Sequence, residues 1–314
     1  MSPIVFPAGF SIDFRDINLE EMEFYARAWN LQRIQMQKGS FVGSMIAAHT
    51  PRIQMMRTPH SHGVMLQGDF PNDVILIAWV VTQSEVTFQN AVGLENEMKI
   101  LKSGDEIDFL CTGESETFTL AVEEAFFYKK YESYFGKDFY AHRKEKSIYI
   151  EPKLLAYFVQ GIQKWLTYLL QDHAVLKLQN MYETIEEEIL THVFSCIYLD
   201  KKEKKRQKFD VSRARKLLHE SIEQNCRIID IAQSCNISER LLFHTFKKNY
   251  GFSPKNYLNA LRLNSVKEDL LKAESENNTI NSIIGKYHFY NQSTFIQSYK
   301  QMFGELPSQT FKNC

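Results

Sequence analysis

The chain has 314 residues, about twice the length of a typical domain, so we expect two domains that each bury a core. Its formal charge of −1 conceals an uneven distribution. Residues 201–314 hold 20 Lys and Arg against 11 Asp and Glu, a net charge of +9, whereas residues 1–200 hold 17 against 27, a net charge of −10. A basic segment joined to an acidic one indicates a polyanionic partner for the basic part, most simply nucleic acid.

The same figures exclude several classes of protein. The sequence has no apolar run near the roughly 18 residues of a spanning helix and no signal-peptide pattern at its start, so we expect a cytoplasmic protein without a membrane partner. Five cysteines, none in a Cys-x-x-Cys pair, indicate reduced, buried thiols rather than a disulfide framework. A hydrophobic content of 44% is too high for a disordered chain.

The segment from residue 39 to residue 122 has the pattern of β-strands. Runs rich in Val, Ile, Thr and Phe are separated by Gly, Pro, Asn and Asp at intervals of about 8–12 residues, which is typical of a β-sandwich or a small barrel. Strands are predicted at Val74–Val81, Val86–Gln89, Met98–Leu101 and Thr117–Val122.

A helical pattern follows over residues 123–199. The apolar stripe of its last helix is interpreted as domain core, with a dimer contact as the alternative. The cluster Glu186-Glu187-Glu188 is interpreted as a solvated face. Helices are predicted at Glu124–Phe135, at Lys153–Leu170 after Pro152, and at Ala174–Leu199.

A repeat with a period of 53 residues follows a linker at residues 200–208, a charged run without apolar side chains. Each copy has a short helix, a turn, a capping residue and a second helix that stops at Gly, which is the pattern of a helix-turn-helix motif. The motifs are predicted at about 228–249 and 281–302. The shift superimposes Ile231 on Ile284, Ser238 on Asn291, Phe246 on Tyr299, Lys247 on Lys300, Gly251 on Gly304 and Pro254 on Pro307.

Details of the repeat fit this motif. Small residues at Ala232 and Gly285 would let the paired helices approach closely, and Asn236 tolerates the left-handed backbone that such turns often require. The outer face of each second helix would be free to enter a major groove. The inner faces would bury Leu242 and Phe246 in the first copy, and Phe295 and Tyr299 in the second.

Residues 209–311 resemble the DNA-binding domain of the AraC/XylS family of bacterial transcription regulators. The shared features are Ile231-Ala232, Ser238, Phe246-Lys247, Gly251-x-x-Pro254, Arg262-Leu263, Tyr299-Lys300 and Gly304-x-x-Pro307. The chain departs from the family pattern, which usually has Gly, Ala, Ala and Arg, at His288, Gly285, Val266 and Gln297.

The resemblance implies an α+β chain of two domains. Residues 1–199 would form an effector-binding and dimerisation domain, a cupin-like β-barrel or sandwich over 39–122 with supporting helices over 123–199. Residues 209–314 would form an all-α DNA-binding domain, in which a helix at Lys255–Leu271 joins the two helix-turn-helix motifs.

The resemblance also implies which side chains face DNA. Two recognition helices would read adjacent major-groove segments about one helical turn apart. Arg262 would hold a phosphate or brace the two motifs; Phe243 could instead pack on the joining helix, and His244 could be an ordinary surface residue. The candidates on the recognition helices are Glu239, Arg240, Phe243, His244 and Lys247 in the first, and Gln292, Ser293, Ile296, Gln297 and Lys300 in the second.

The β-rich segment resembles the effector domains of the same family. Leu101–Asp105 resembles the Gly-Asp turn of cupin-like barrels, and Phe41–Val81 with Arg262–Leu270 is similar to regulators of ethanolamine-utilisation operons. This likeness implies a small-molecule effector, but it names neither the effector nor the residues that bind it. Double-stranded DNA is the expected partner, joined by a second copy of the chain in a homodimer and, if the chain is an activator, by RNA polymerase.

The alternative is a cupin-like metal-dependent enzyme, or a small-molecule-binding protein, with a basic accessory domain. His60 and His62 have the spacing of two cupin metal ligands, but no Glu and His follow at suitable positions, the nearest candidate being His142. We therefore place the two histidines in a loop and expect no catalysis, no metal and no cofactor, since motifs such as Gly-x-Ser-x-Gly are missing from the sequence. Nearby carboxylates are interpreted as a solvated hairpin: Asp105, Glu106 and Asp108.

Overall fold

The computed structural model describes residues 8–26, 29–89, 91–93, 96–139, 146–171, 179–199, 211–273 and 279–312. The strands are β1 (Ser11–Ile17), β2 (Leu31–Gln35), β3 (Gly43–His49), β4 (Ile53–His60), β5 (Val64–Gly68), β6 (Val74–Val81), β7 (Val86–Phe88), β8 (Ala91–Val92), β9 (Glu97–Leu101), β10 (Ile107–Cys111), β11 (Ser115–Glu123) and β12 (Ser147–Tyr149). The helices are α1 (Leu19–Tyr25), α2 (Glu124–Phe135), α3 (Pro152–Gln171), α4 (Gln179–Tyr198), α5 (Ser212–Glu220), α6 (Ile228–Ser234), α7 (Glu239–Tyr250), α8 (Pro254–Lys272), α9 (Ile280–Lys286), α10 (Gln292–Phe303) and α11 (Pro307–Lys312).

The strands form two antiparallel sheets. The larger sheet has the order β1-β3-β4-β11-β6-β9-β12, and the smaller sheet has the order β2-β5-β10-β7-β8. The turn at Leu101–Asp105 links β9 of the larger sheet to β10 of the smaller one, so the chain crosses between the sheets there. Side chains from both sheets share one core. This arrangement confirms the predicted α+β class and the β-sandwich.

The β region is longer than the predicted 39–122, because β1 and β2 precede that range and β12 follows it. Strand β1 pairs with β3 at the edge of the larger sheet, and its alternation of Ile12 and Phe14 with exposed charged residues is short, because the register shifts between Phe14 and Ile17. Strand β2 carries two buried polar side chains, Arg33 and Gln35, so it lacks the apolar run expected of a buried strand.

Strand β6 shows how an apolar sequence positions the layers. Ile75, Ile77 and Trp79 pack with helices α2, α3 and α4, whereas Val74 and Leu76 point into the core between the sheets. Successive strand side chains alternate between faces, so a strand covered on both sides is apolar throughout. The run VILIAWVV therefore lies in a layer between the helices and the smaller sheet.

Helix α4 covers the larger sheet, and its stripe of Ile185, Ile189 and Val193 is buried in that core. This confirms the prediction of domain core for the stripe.

The interpretation of Glu186 as a solvated residue is wrong. Its side chain is fully buried, accepts a hydrogen bond from the Thr50 hydroxyl at 2.6 Å and forms an ion pair with Arg52 at 2.6 Å. In an acidic triplet only the rotational phase of the helix decides which carboxylate turns inward. Residues 174–178 of the predicted helix and the predicted linker at 200–208 lie outside the described residues.

We call residues 8–199, with β1–β12 and α1–α4, the β unit, and residues 211–312, with α5–α11, the helical unit. In the helical unit the two short helix pairs pack on the long helix α8, whose Leu261 shares a core with Phe246 and Tyr299. The outer face of the smaller sheet belongs to the same core, through Ile34, Met36, Met65 and Leu110. The two units are therefore packed together across an apolar interface.

Cys111 and Cys196 are buried free thiols, whereas Cys226 and Cys235 are free thiols that are partly exposed, contrary to the expectation of burial. Cys314 lies outside the described residues. Within the described ranges, the helices are too short or too polar to cross a bilayer.

Candidate nucleic-acid interface

The first helix-turn-helix motif consists of α6 and α7. The Ser238 hydroxyl accepts a hydrogen bond from the Leu241 amide at 3.2 Å and caps α7, as predicted. Asn236, in the turn, has a φ of 57°, which confirms the predicted left-handed backbone. Gly251 ends α7 with a φ of 73°, and its amide donates to the Lys247 carbonyl at 2.8 Å.

The second motif consists of α9 and α10, and α10 has the same type of side-chain N-cap and the same left-handed glycine at its C-terminus as α7. The Asn291 side chain accepts a hydrogen bond from the Thr294 amide at 2.9 Å, and Gly304 ends α10 with a φ of 77°. The turn before α10 is one residue longer than the turn before α7, since it spans 287–291 rather than 235–238. The 53-residue repeat is therefore maintained in α7 and α10 but not in the helices that precede them.

His288 lies in the turn before α10, where the related family usually has Gly. His288 has a φ of 64°, a backbone conformation that L-residues adopt at a cost. Its two ring nitrogens form hydrogen bonds with the Tyr290 hydroxyl at 2.7 Å and the Glu223 carbonyl at 2.9 Å. These two hydrogen bonds stabilise the left-handed backbone at a position where glycine is absent.

The prediction that Gly285 brings two helices close together is wrong. Gly285 is exposed, and a Cβ built on it would meet no atom of the described residues within 4 Å. Because α9 lies one residue earlier relative to α10, Ile283 and Ile284 occupy the buried positions that Ile231 and Ala232 occupy in the first motif.

The side chains predicted to face DNA are exposed along both recognition helices, α7 and α10. Phe243 is 50% exposed and Ile296 is 37% exposed, so neither contributes to the helical core, and packing on α8 does not describe Phe243. The Gln292 side-chain amide donates to Asn281 at 3.1 Å. The exposed set is Glu239, Arg240, Phe243, His244 and Lys247 on α7, and Gln292, Ser293, Ile296, Gln297 and Lys300 on α10.

The inner faces of the recognition helices are buried as predicted, with Leu242, Phe246, Phe295 and Tyr299 all at 0–1% exposure. Lysines lie in the last turn of each recognition helix, where a positive charge interacts favourably with the helix dipole. The two helices thus have one apolar face fixed in the core and one polar face with cationic ends toward solvent.

Arg262 is partly buried and forms hydrogen bonds with main-chain carbonyls of the helical unit. Its guanidinium donates to the carbonyls of Ser221, Ile222 and Gln224 at 3.2, 3.1 and 2.6 Å. These bonds tie α8 to the turn after α5. Both alternatives for Arg262, bracing of the two motifs and contact with a phosphate, stay predictions.

The C-terminal end of each recognition helix is bonded to the β unit, which the sequence did not predict. The Thr87 hydroxyl donates to the Asn249 carbonyl of α7 at 2.7 Å. The Gln35 side-chain amide and the Gly39 main-chain amide donate to the Met302 carbonyl of α10 at 2.6 and 3.1 Å. The last carbonyls of a helix have no partner within the helix, so the β unit supplies the missing donors.

A second contact between the units is centred on Arg215 of α5. Its guanidinium donates to Asp108 of β10 at 2.5 Å and to the Tyr257 hydroxyl of α8 at 2.7 Å. The Tyr257 hydroxyl also contacts His219 at 2.9 Å. The interpretation of Asp108 as part of a solvated hairpin is therefore wrong, because a carboxylate on an exposed-looking turn can pair with a residue that is distant in sequence.

Burial changes the titration of this cluster. It lowers the pKa of His219 to about 4, with a further contribution from the Arg215 charge, and it raises the pKa of Tyr257 to about 12. Both groups are neutral at physiological pH, so Arg215 and Asp108 carry the only opposite charges of this four-residue cluster.

The placement of His60 in a loop is wrong, because His60 is the last residue of strand β4 and is only 2% exposed. It lines a cavity between the two sheets. His62 follows the strand, and its ring contacts the Ser61 hydroxyl at 2.8 Å. The described residues contain no group of three or more His, Cys, Asp or Glu that could hold a metal ion, and His142 lies outside them.

Comparison with known proteins places the two motifs in one family. A family model described as a helix-turn-helix domain matches residues 231–313. Over 97 residues the chain is 31% identical to the XylDLEGF operon transcriptional activator of Pseudomonas putida, a match that covers 31% of this chain and 30% of the relative. The C-terminal part of this chain is an AraC/XylS-type helix-turn-helix domain.

The family match begins within α6 and includes α7, the joining helix α8 and the whole second motif. The Raffinose operon transcriptional regulatory protein RafR of Pediococcus pentosaceus is 31% identical over 91 residues, which cover 29% of this chain and 32% of the relative. The chain thus matches about a third of the length of these relatives, and the likeness concerns the helical unit.

Two solved structures are similar to this chain with TM-scores below 0.5. The AraC-like transcriptional activator CuxR is 13% identical, and the alignment covers 88% of this chain and all of that chain with a TM-score of 0.44. A probable AraC family transcriptional regulator from Rhodopseudomonas palustris CGA009 is 25% identical, and the alignment covers 33% of this chain and 94% of that chain with a TM-score of 0.31.

Proposed function

We propose that this chain is a sequence-specific transcription regulator that binds double-stranded DNA through α7 and α10 and acts in the cytoplasm. One observation carries the proposal. An AraC/XylS-type domain presents two recognition helices, each capped at its start, ended by a left-handed glycine and exposed along its outer face. An α-helix with an exposed polar face fits the major groove of DNA.

The exposed side chains supply the chemistry of base reading. Arg240 can donate two hydrogen bonds to a guanine, and Gln297 can form the equivalent pair with an adenine. Phe243 and Ile296 present apolar surface of the kind that contacts thymine methyl groups, which gives a reason for their exposure on a soluble face.

Lysines at the helix ends supply the positioning chemistry. Lys247 and Lys300 lie in the last turns of α7 and α10, beyond the side chains assigned to bases. Contacts to phosphate hold a protein in register on the duplex but carry no sequence information. We assign the two lysines to this role.

The β unit would act as the sensor for a small-molecule effector. Its smaller sheet packs against the helical core on one face and lines the cavity between the sheets on the other. Its donors also hold the C-terminal ends of both recognition helices. Only the smaller sheet therefore separates a ligand in the cavity from the helical core that carries α7 and α10. The allosteric coupling free energy between two such sites is typically about 1–3 kcal/mol. Homodimer formation and contact with RNA polymerase stay predictions.

The test is selection of binding sites from random duplexes by the full chain, followed by mobility-shift assays on the selected sequence. We expect an enriched site with two conserved elements and a salt-sensitive affinity. Arg240→Ala should cost about 1–3 kcal/mol and relax one position of the site, whereas Lys247→Ala should weaken all sequences alike. Lys153→Ala, an exposed lysine of the β unit, is the control and should change neither. Failure to enrich any sequence at low salt would refute the proposal.

A further inference from the structure

The cavity between the two sheets has a volume of ≈ 90 Å³ and a predominantly apolar lining. Met56, Thr58 and His60 face it from alternate positions of β4, and Leu31 and Arg33 face it from alternate positions of β2. The strand period thus explains why a charged and a titratable residue share an apolar space.

Arg33 is the unusual member of this lining, since its side chain is buried at 7% exposure. Among the described residues, its Nε and Nη1 atoms have no hydrogen-bond partner. Glu23 is the nearest acidic influence, but its carboxylate accepts a hydrogen bond from the Arg33 main-chain amide at 2.7 Å instead. A buried guanidinium whose N–H groups have no acceptor in the described part of the chain is costly, and an anion bound in the cavity would offset this cost.

Three further polar groups of the lining also have no hydrogen-bond partner in the described part of the chain: the ring nitrogens of His60, the hydroxyl of Thr117 and the indole N–H of Trp79. Burial, aided by the Arg33 charge, lowers the pKa of His60 to about 3, so its ring is neutral and carries one N–H donor. A guanidinium, an imidazole N–H and a hydroxyl are therefore three donors in the lining of one cavity. We call Arg33, His60 and Thr117 the donor cluster.

We propose that the donor cluster binds the carboxylate of a small aliphatic monocarboxylic acid, whose apolar tail fills the rest of the cavity. The inference rests on the proposed function, because it names the effector class of the β unit. Arg33 would hold the two carboxylate oxygens with parallel N–H bonds, the geometry in which arginine binds carboxylates best.

The charges of the cavity favour a monoanion over phosphate. Lys99 is the other cation of the lining, and it is paired with Glu97 at 2.6 Å, so a dianion would gain only the Arg33 charge.

The volume of the cavity limits the length of the acid that it can hold. A cavity of about 150 Å³ holds benzene, which has six heavy atoms. By the same ratio a cavity of ≈ 90 Å³ holds about four heavy atoms, which is the size of acetate or, with slight expansion, of propionate.

The position of Arg33 connects this site to the helical unit. The next residue, Ile34, packs in the helical core, and Gln35 donates to the Met302 carbonyl at the end of α10. Neutralising the Arg33 charge would therefore act on the strand that holds a recognition helix.

The test measures binding of sodium acetate, propionate, butyrate and octanoate to the full chain by calorimetry and thermal shift, with propionamide as the uncharged analogue. We expect propionate to bind and, at a hundredfold excess over Kd, to raise the Tm by on the order of 5 °C. Propionamide should show no shift. This comparison uses the unmodified chain, so it does not depend on the folding of any variant.

Two variants locate the site. Arg33→Met should abolish the propionate shift, lower the affinity about 100-fold and raise the Tm of the ligand-free protein, because it removes an uncompensated buried charge. Arg57→Met is the matched control: this arginine of β4 pairs with Glu116 outside the cavity lining, and its loss should leave propionate binding unchanged.

Three results would overturn the inference: none of the acids binds, propionamide binds as well as propionate, or Arg33→Met binds propionate normally. Mobility-shift assays on the same preparations separate this inference from the proposed function. DNA binding without carboxylate binding would overturn only the inference, and carboxylate binding without DNA binding would overturn only the proposed function.

Discussion

Gly304→Ala tests whether the β unit is docked on the end of recognition helix α10. Gly304 ends α10 with a φ of 77°, and a Cβ built on it lies 1.9 Å from the Ser40 Oγ and 3.2 Å from the Ser40 Cβ. Rotation of the Ser40 hydroxyl would relieve the first contact but not the second. At 3.2 Å the Ser40 Cβ must move by a few tenths of an ångström, so the alanine methyl group pushes the Ser40 segment of the β unit away from α10.

The magnitude follows from two separate costs. A left-handed alanine costs about 1–2 kcal/mol, partly offset by about 0.4–1 kcal/mol from the lower entropy of the unfolded chain, which leaves about 1 kcal/mol. Overpacking against Ser40 adds about 1–2 kcal/mol, the lower part of the range for such insertions. We therefore expect Gly304→Ala to lower the free energy of unfolding by about 2–3 kcal/mol.

Gly136→Ala is the matched control. Gly136 ends α2 with a φ of 64°, but a Cβ built there meets no described atom within 4 Å. Gly136→Ala should lower the free energy of unfolding by about 1 kcal/mol, which is the backbone cost alone. Ser40→Gly should rescue Gly304→Ala, because it removes both close atoms and leaves the Ser40 Cα at 3.6 Å, an ordinary contact distance.

The assay is urea unfolding of the full chain, with hydrogen exchange of residues 36–43 as a local readout of the β unit. The docked arrangement predicts that the Gly304 variant loses more stability than the Gly136 variant, exchanges faster at residues 36–43 and recovers with Ser40→Gly. Equal losses for the two glycine variants, with no effect of Ser40→Gly, would refute the docking of the β unit on α10.

Two further predictions concern buried charge. Asp108→Asn should lower the free energy of unfolding by about 2–3 kcal/mol in urea titrations, because Arg215, 4% exposed in its side chain, loses its carboxylate and keeps its hydroxyl partner; a change below 0.5 kcal/mol would contradict the ion pair. Burial lowers the pKa of His49 and His219 to about 4 and that of His60 to about 3, so all three are neutral when folded but titrate near 6.5 when unfolded. Their stabilising contribution is complete above pH 6.5 and is lost on acidification, by about 2 kcal/mol per histidine at pH 5. His219→Gln should reduce this pH slope in urea titrations at pH 7, 6 and 5, and an unchanged slope would contradict its burial as a neutral group.

Local signals in the sequence predicted much of the helical unit. Ser238 and Asn291 cap the recognition helices, and Gly251 and Gly304 end them, because caps and left-handed stops depend on one or two residues that can be read directly. The longer turn before α10 was not predicted, because an insertion of one residue leaves the repeat intact on one side and shifts it on the other.

Long-range contacts could not be predicted in the same way. Arg215 and Asp108 are 107 residues apart, and Glu186 and Arg52 are 134 residues apart, so only tertiary packing makes either carboxylate a partner, between the two units in the first pair and within the β unit in the second. The sequence does not indicate the burial of Arg33 for a related reason. A single arginine in a polar strand resembles a surface position until the opposite sheet closes over it.

The central claim is that α7 and α10 read adjacent major-groove segments. Hydroxyl-radical footprinting of the full chain on its selected site tests this most directly. The account predicts two protected patches on one face of the duplex, about 10 base pairs apart. Replacing Gln297 and Ile296 of α10 with alanine should weaken one patch while the other, assigned to α7, persists. A single patch that is lost as a whole, or protection that does not depend on the exposed residues of either helix, would contradict the claim.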